Sequence, residues 1–194
     1  MCSSDLLKHL VEEKGIDVNA YRWNSYGACT NSMGRTRTYN LLSYCIDSSN
    51  LEAFRYLLGR KGIEIHSLRC VGGGDFTIID LVFRQPKATA FFRELVRHPS
   101  FDVNRSFSLE TSHAVSPLHL VIGYLMVDSN AAWFDLPTWK ANFQLLLEVG
   151  ADPYMETERH GDALQYAKAE LANCPGHEGL KGAIEILEDW VAIK

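Results

Sequence analysis

Three short stretches carry residue types capable of chemistry. Gly72-Gly73-Gly74 would let backbone amides close on a phosphate. The run lacks the Gly-Lys-Ser/Thr ending of a nucleotide loop and follows no strand, so it reads as a glycine-rich turn between elements. Cys174-Pro175-Gly176-His177 sets a thiol and an imidazole at a spacing that metal ligands can take. A structural zinc site needs four such ligands, and no second pair with comparable spacing occurs; Pro-Gly simply makes a loop, and no metal is expected. His177-Glu178 begins like a zinc-protease helix, but Lys181 stands where the second histidine belongs. A cysteine nucleophile would need a histidine base and an orienting acid. With five cysteines and seven histidines some pair will approach by chance. Cys45 falls at a packing position and reads as inert. No catalytic role is assigned to Cys29, Cys45, Cys70 or His119, no cofactor is implied, and the chain is not expected to be an enzyme.

Composition sets the background for that reading. The chain has 194 residues, 46% hydrophobic and 22% charged, enough apolar material to bury a core without disulfides or a metal. The net charge of -5 argues against a nucleic-acid binder, which would present a basic face. No stretch approaches the ~18 to 20 consecutive apolar residues of a membrane span, and the amino terminus has no secretory pattern. The odd, scattered cysteines point to a reduced, cytoplasmic setting, in which the Asn104-Arg105-Ser106 glycosylation triplet carries no weight.

The elements that must position these residues repeat. Four heptapeptides align, starting at Asn40, Thr77, Ser116 and Asp162. Each opens with a residue suited to an N-cap. The third position is aliphatic (Leu42, Ile79, Leu118, Leu164), the fifth large and apolar (Tyr44, Leu81, Leu120, Tyr166), and the sixth compact (Cys45, Val82, Val121, Ala167). Residues three apart share a helix face, and a compact one there admits a neighbouring helix. An amphipathic pattern follows each heptapeptide and also precedes the first, from Leu6 to Val11. Four of these patterns run into short exits: Gly15 to Asn19, Gly62 to His66, Ser100 to Asn104 and Gly150 to Tyr154. Glycine after a helix accepts the left-handed conformation that ends it. Ser49-x-x-Glu52 has the spacing of a capping box at the head of a second helix.

Ser116-Pro117-Leu118-His119 resembles the helix-opening signature of ankyrin repeats, and the segment from Leu145 through Gly150 to Pro153 is similar to that repeat's second helix and exit turn. The resemblance extends from about Asp5 to Trp190. It implies an all-α, ankyrin-type repeat solenoid of stacked helix-turn-helix units with hairpin-like inter-repeat loops. The expected organisation is one domain over 1–194, with a half unit at 5–19 and units at about 38–66, 75–104, 114–154 and 160–192. The resemblance also implies that His119 ties neighbouring turns by hydrogen bonds, with Ser116 as a helix cap.

The exit acids Asp17, Glu64, Asp102 and Asp152 are more widely spaced than the ~33 residues of a regular array. The excess falls in insertions, one from Ala20 to Thr38 and one from Asp128 to Thr138. The first gathers Tyr21, Arg22, Trp23, Tyr26, Arg35 and Arg37, the residue types that dominate protein interfaces. It can equally pack over the first repeat and seal it. Phe107 belongs to a loop on the same edge. Trp133 and Phe134 are expected to fold back onto the helices, and Trp190 to cap the core. The function expected is recognition of another protein by a monomer, through inter-repeat loops and the concave face. Two alternatives stay open: a bacterial effector that captures proteins of a host cell into which it is delivered, and a cysteine-dependent hydrolase on a repeat scaffold.

Overall fold

The computed structural model describes residues 3–19, 22–23, 38–66, 78–84, 89–108, 114–128 and 135–193. These form two compact units, Met1–Phe101 and Asp102–Lys194. The described residues are all-α: within each unit helix pairs stack in two layers, and the only strands among the described residues are two-residue hairpin bases.

The first unit holds α1 (Ser3–Glu12), α2 (Leu41–Asp47), α3 (Leu51–Leu58), α4 (Ile78–Arg84) and α5 (Thr89–Val96), with β1 (Arg22–Trp23) and β2 (Thr38–Tyr39). First helices pack on first helices, α2 against α4. Second helices pack on second helices, α3 between α1 and α5. The second unit repeats the plan with α6 (Pro117–Asp128), α7 (Leu136–Glu148), α8 (Ala163–Asn173) and α9 (Glu178–Ile193), preceded by β3 (Phe107–Ser108) and β4 (Ala114–Val115). There α6 lies on α8 and α7 on α9.

Burial follows the heptapeptides. The compact sixth-position residues Cys45, Val82, Val121 and Ala167 are all buried, as are the aliphatics Leu42, Ile79 and Leu118. Phe54, Phe92 and Phe143 on the second helices are fully enclosed; each such side chain contributes ~1.5–3 kcal/mol by leaving water. The helix α6 is apolar on all sides because it touches α7, α8 and α9 at once.

The helix ends are set by side chains. Asn40 caps α2, its Oδ1 accepting from the Ser43 amide at 2.9 Å. Asp162 and Gln165 form a reciprocal capping box on α8. At the head of α3 the expected box on Ser49 and Glu52 is not formed. Ser49 has φ 54° and closes α2, its amide donating to Ile46. The cap is Asn50, which accepts from the Ala53 amide at 3.0 Å. Ser49 cannot serve because the three-residue link between the helices uses it, at positive φ, for the reversal, which leaves Asn50 at negative φ to lead into α3. The second insertion is likewise shorter than expected: α6 runs through Asp128, and Asp135 caps α7 by accepting from Thr138 at 3.0 Å. Residues 129–134, with Trp133 and Phe134, lie outside the described residues, as do Gly72 to Gly74.

The exit turns are laced by one recurrent bond. Asn19 donates from Nδ2 to the Gly62 carbonyl and accepts from the Glu64 amide at 2.8 Å each. Asn104 does the same with Gly150 (3.0 Å) and Asp152 (2.7 Å). His66 occupies the corresponding position between these two, and its Nε2 reaches the Ser100 carbonyl at 3.2 Å. Glycine at Gly15, Gly62 and Gly150 takes positive φ. The exit at Ser100 lacks that glycine and turns differently: the His98 ring accepts from the Ser100 amide and donates to the Leu58 carbonyl.

Candidate protein-interaction surface

Two hairpin bases frame the loops that the sequence singled out. In the first unit β1 pairs antiparallel with β2, Arg22 opposite Tyr39 and Trp23 opposite Thr38. In the second, Phe107 pairs with Val115 and Ser108 with Ala114. Each ladder ends one residue before the start of a first helix: Tyr39 precedes the cap Asn40, and Val115 precedes Ser116. The backbones of Arg22, Trp23 and Phe107 therefore stand in these ladders. Tyr21, Tyr26, Arg35 and Arg37 lie outside the described residues, and no side-chain position is assigned to any of the seven.

The helices that carry the hairpins are held by buried polar bonds. Asn40 and Ser43 are both buried, and Ser43 Oγ lies 2.9 Å from the Asn40 side-chain oxygen. In the second unit Ser116 Oγ lies 2.7 Å from His119 Nδ1, and His119 Nε2 lies 3.0 Å from the Gly161 carbonyl. A carbonyl only accepts, so Nε2 carries the proton and Nδ1 takes the hydroxyl hydrogen. Burial holds the His119 pKa below its ordinary 6.5, with His160 adding to the effect and the Gly161 bond opposing it.

This pair has the heavy-atom contact of a nucleophile and its base, yet it cannot work as one. Both residues are 2% exposed, so no substrate reaches the hydroxyl. His177 is similarly committed, with Nε2 on the Leu125 carbonyl at 3.0 Å and Nδ1 accepting from the Leu180 amide at 3.2 Å. It has no nitrogen left for Cys174 or a metal, and no group of three or more possible metal ligands occurs among the described residues. Burial pushes the Cys45 thiol up to about 12, the opposite of an activated cysteine. Cys29 and Cys70 lie outside the described residues. No described helix is long and apolar enough to cross a membrane.

One exposed contact was not legible in the heptapeptide pattern. Tyr44 holds the large, apolar fifth position of its heptapeptide, and it is 64% exposed. Leu42, Cys45 and Ile46 make the buried stripe of α2, and a residue two places after Leu42 lies on the opposite side of the helix. Leu120 at the same position is buried because α6 is enclosed. Tyr44 thus presents its ring one turn after the first hairpin ladder.

Charge divides sharply between the units. Thirteen Lys and Arg face ten Asp and Glu in Met1–Phe101, a net of +3; six face fourteen in Asp102–Lys194, a net of -8. The overall value of -5 conceals this asymmetry.

No family model matches the sequence, and no curated protein does. Among solved structures, one described as EF0377, an ankyrin repeat protein, is 14% identical over 96% of this chain and 92% of that one, with a TM-score of 0.43. A likeness that distant carries no inference about function. The architecture above rests on the chain's own helix pairs, caps and laced exits.

Proposed function

We propose that this chain belongs with the ankyrin repeat proteins and acts as a protein-recognition module without catalysis, its first contact surface being the segment displayed by β1 and β2. The observation that carries the reading is the pair of hairpin ladders joined directly to helices fixed by buried polar bonds. A loop whose two ends are paired in a ladder that runs into a capped helix loses less conformational freedom on binding than a free one, so more of its contact energy appears as affinity. The residues proposed for contact are Tyr21, Arg22, Trp23, Tyr26, Arg35 and Arg37, together with the exposed Tyr44 on α2 and Phe107 on the second hairpin. Against a hydrolase stand the buried Ser116–His119 pair and the Cys45 thiol, raised to about 12.

The test compares wild type with a Trp23→Ala, Tyr26→Ala, Arg37→Glu triple variant, both confirmed as folded by circular dichroism, as baits in lysate. Mass spectrometry identifies what each retains. A partner held by wild type and lost by the variant supports the reading. Equal retention overturns the placement at the first hairpin, and no specific capture by either bait overturns the recognition role.

A further inference from the structure

In the first unit, where α3 and α5 end, an open groove of roughly 490 Å³ runs between the exit turns. Leu58 and Ile63 lie beneath it, and Gly59 and Gly62 leave its floor without side chains. Arg60 and Lys61 stand on one wall. A second recess of roughly 210 Å³ shares Leu58, Gly59, His98 and Pro99 with the first and extends it along the helix seam past Arg55 and Arg97. Four cations therefore line one continuous depression, against a single lining carboxylate, Glu94.

That carboxylate does not neutralise the groove. Glu94 accepts from Arg55 at 2.8 Å and lies 3.9 Å from Arg97, so two guanidinium groups share one charge. Arg60 is paired with Glu12 of α1 at 3.0 Å, while Lys61 makes no ion pair among the described residues. Arg55 and Arg97 remain 57% and 73% exposed. The stack itself does not require these charges. In the second unit α9, a second helix like α3 and α5, carries Glu178, Glu185, Glu188 and Asp189 against a lone Lys181.

We infer that this groove docks an acidic, extended segment of the partner protein, its carboxylates meeting Arg55, Arg60, Lys61 and Arg97 and its apolar residues meeting the floor at Leu58 and Ile63. The glycines matter because an extended backbone can lie close where no side chain stands. The inference rests on the recognition role proposed above and adds the chemistry of the partner. A second copy of this chain, offering its acidic second unit, is the competing occupant.

The probe is a fluorescein-labelled peptide of alternating Glu and Leu, with a Lys and Leu peptide of equal length as control. Binding to the full chain is followed by anisotropy at about 50 and about 200 mM salt, because pairing between exposed charges weakens as the screening length shortens. The variants are Arg60→Glu with Lys61→Glu in the groove, and Lys14→Glu with Arg93→Glu on the same unit outside it. Lys61, Lys14 and Arg93 are exposed and Arg60 is half-buried; the two pairs change the net charge equally, and circular dichroism confirms that both variants are folded.

Saturable one-to-one binding of the acidic peptide, weakened at least ~10-fold (~1.4 kcal/mol) by the groove variant and less than ~2-fold by the outside variant, is the expected result. Equal weakening by both pairs, or no saturable binding, overturns the groove. Equilibrium sedimentation of the chain alone decides the other occupant: a dimer or chain lost in the groove variant would overturn a foreign partner. In the lysate assay, a partner kept by the groove variant but lost by the hairpin variant would also sink the groove and leave the recognition role standing. The absence of capture by any bait would remove the role itself.

Discussion

Replacing Asn104 by alanine removes one side chain that ties two exit turns of the second unit. Its Nδ2 donates to the Gly150 carbonyl at 3.0 Å, and its Oδ1 accepts from the Asp152 amide at 2.7 Å. The bond from its own amide to Asp102 is a backbone donation and survives the change. Two net hydrogen bonds are lost, each ordinarily contributing ~0.5–1.5 kcal/mol. Gly150 and Asp152 are exposed, so water takes over the released groups and no burial penalty is added. The expected loss is therefore about 1–3 kcal/mol, read as a lower urea midpoint at unchanged slope. Asn104→Asp sharpens the test. The carboxylate can still accept from Asp152 but has nothing to donate to Gly150, and it adds a charge beside Asp102 and Asp152. Its loss at neutral pH is expected to equal or exceed that of alanine. In the first unit His66→Asn, which keeps a donor for the Ser100 carbonyl, is expected to cost less than His66→Ala. Alanine at Asn104 within ~0.3 kcal/mol of wild type would refute the reasoning, because it would show that the lacing merely accompanies the packing.

Three further outcomes follow from the same geometry. Gly150→Ala meets no atom within 4 Å of the added carbon, yet φ is +99°; backbone strain alone is expected to cost ~1 kcal/mol in urea unfolding, and an unchanged midpoint would contradict it. Burial depresses the His119 pKa below 6.5, so the folded state favours the neutral ring. Its contribution is complete above 6.5 and is lost as pH falls through the lowered folded value; the stability difference between wild type and His119→Gln is expected to shrink over that acid range, and a difference independent of pH would refute it. Cys45, with its thiol raised to about 12, is expected to resist iodoacetamide in the native protein while the half-buried Cys174 is alkylated, as peptide mapping would show. Native labelling of both at one rate would contradict the burial.

Much of the architecture is legible along the chain because it depends on local spacing. Leu42, Cys45 and Ile46 declare the buried face of α2 by their separations alone, and Asn40 and Asp162 announce helix starts by chemistry that acts over three residues. The Ser49-x-x-Glu52 spacing misleads for a related reason. Capping needs both a residue type and a backbone that can lead into the helix, and only the tight reversal between α2 and α3 decides that Ser49, at positive φ, closes α2 while Asn50 caps α3. The candidate interface divides in the same way. Aromatics and arginines in an insertion can be counted in the sequence, whereas the exposure of Tyr44 depends on which helices cover α2 and the burial of Leu120 on those that enclose α6.

What the sequence by itself determined is the series of helix pairs, their turn glycines and the surplus residues between them, since periodicity, capping and left-handed backbone are properties of a few neighbouring residues. Only the tertiary structure decided that His66 stands in for asparagine in the lacing of the exits, that Ser116 and His119 are sealed from solvent, and that Arg55, Arg60, Lys61 and Arg97 line one groove. Each of these depends on residues far apart along the chain, His66 and Ser100 standing 34 positions apart and His119 reaching the Gly161 carbonyl 42 positions on, and hydrogen bonding, burial and charge all act through distance in space.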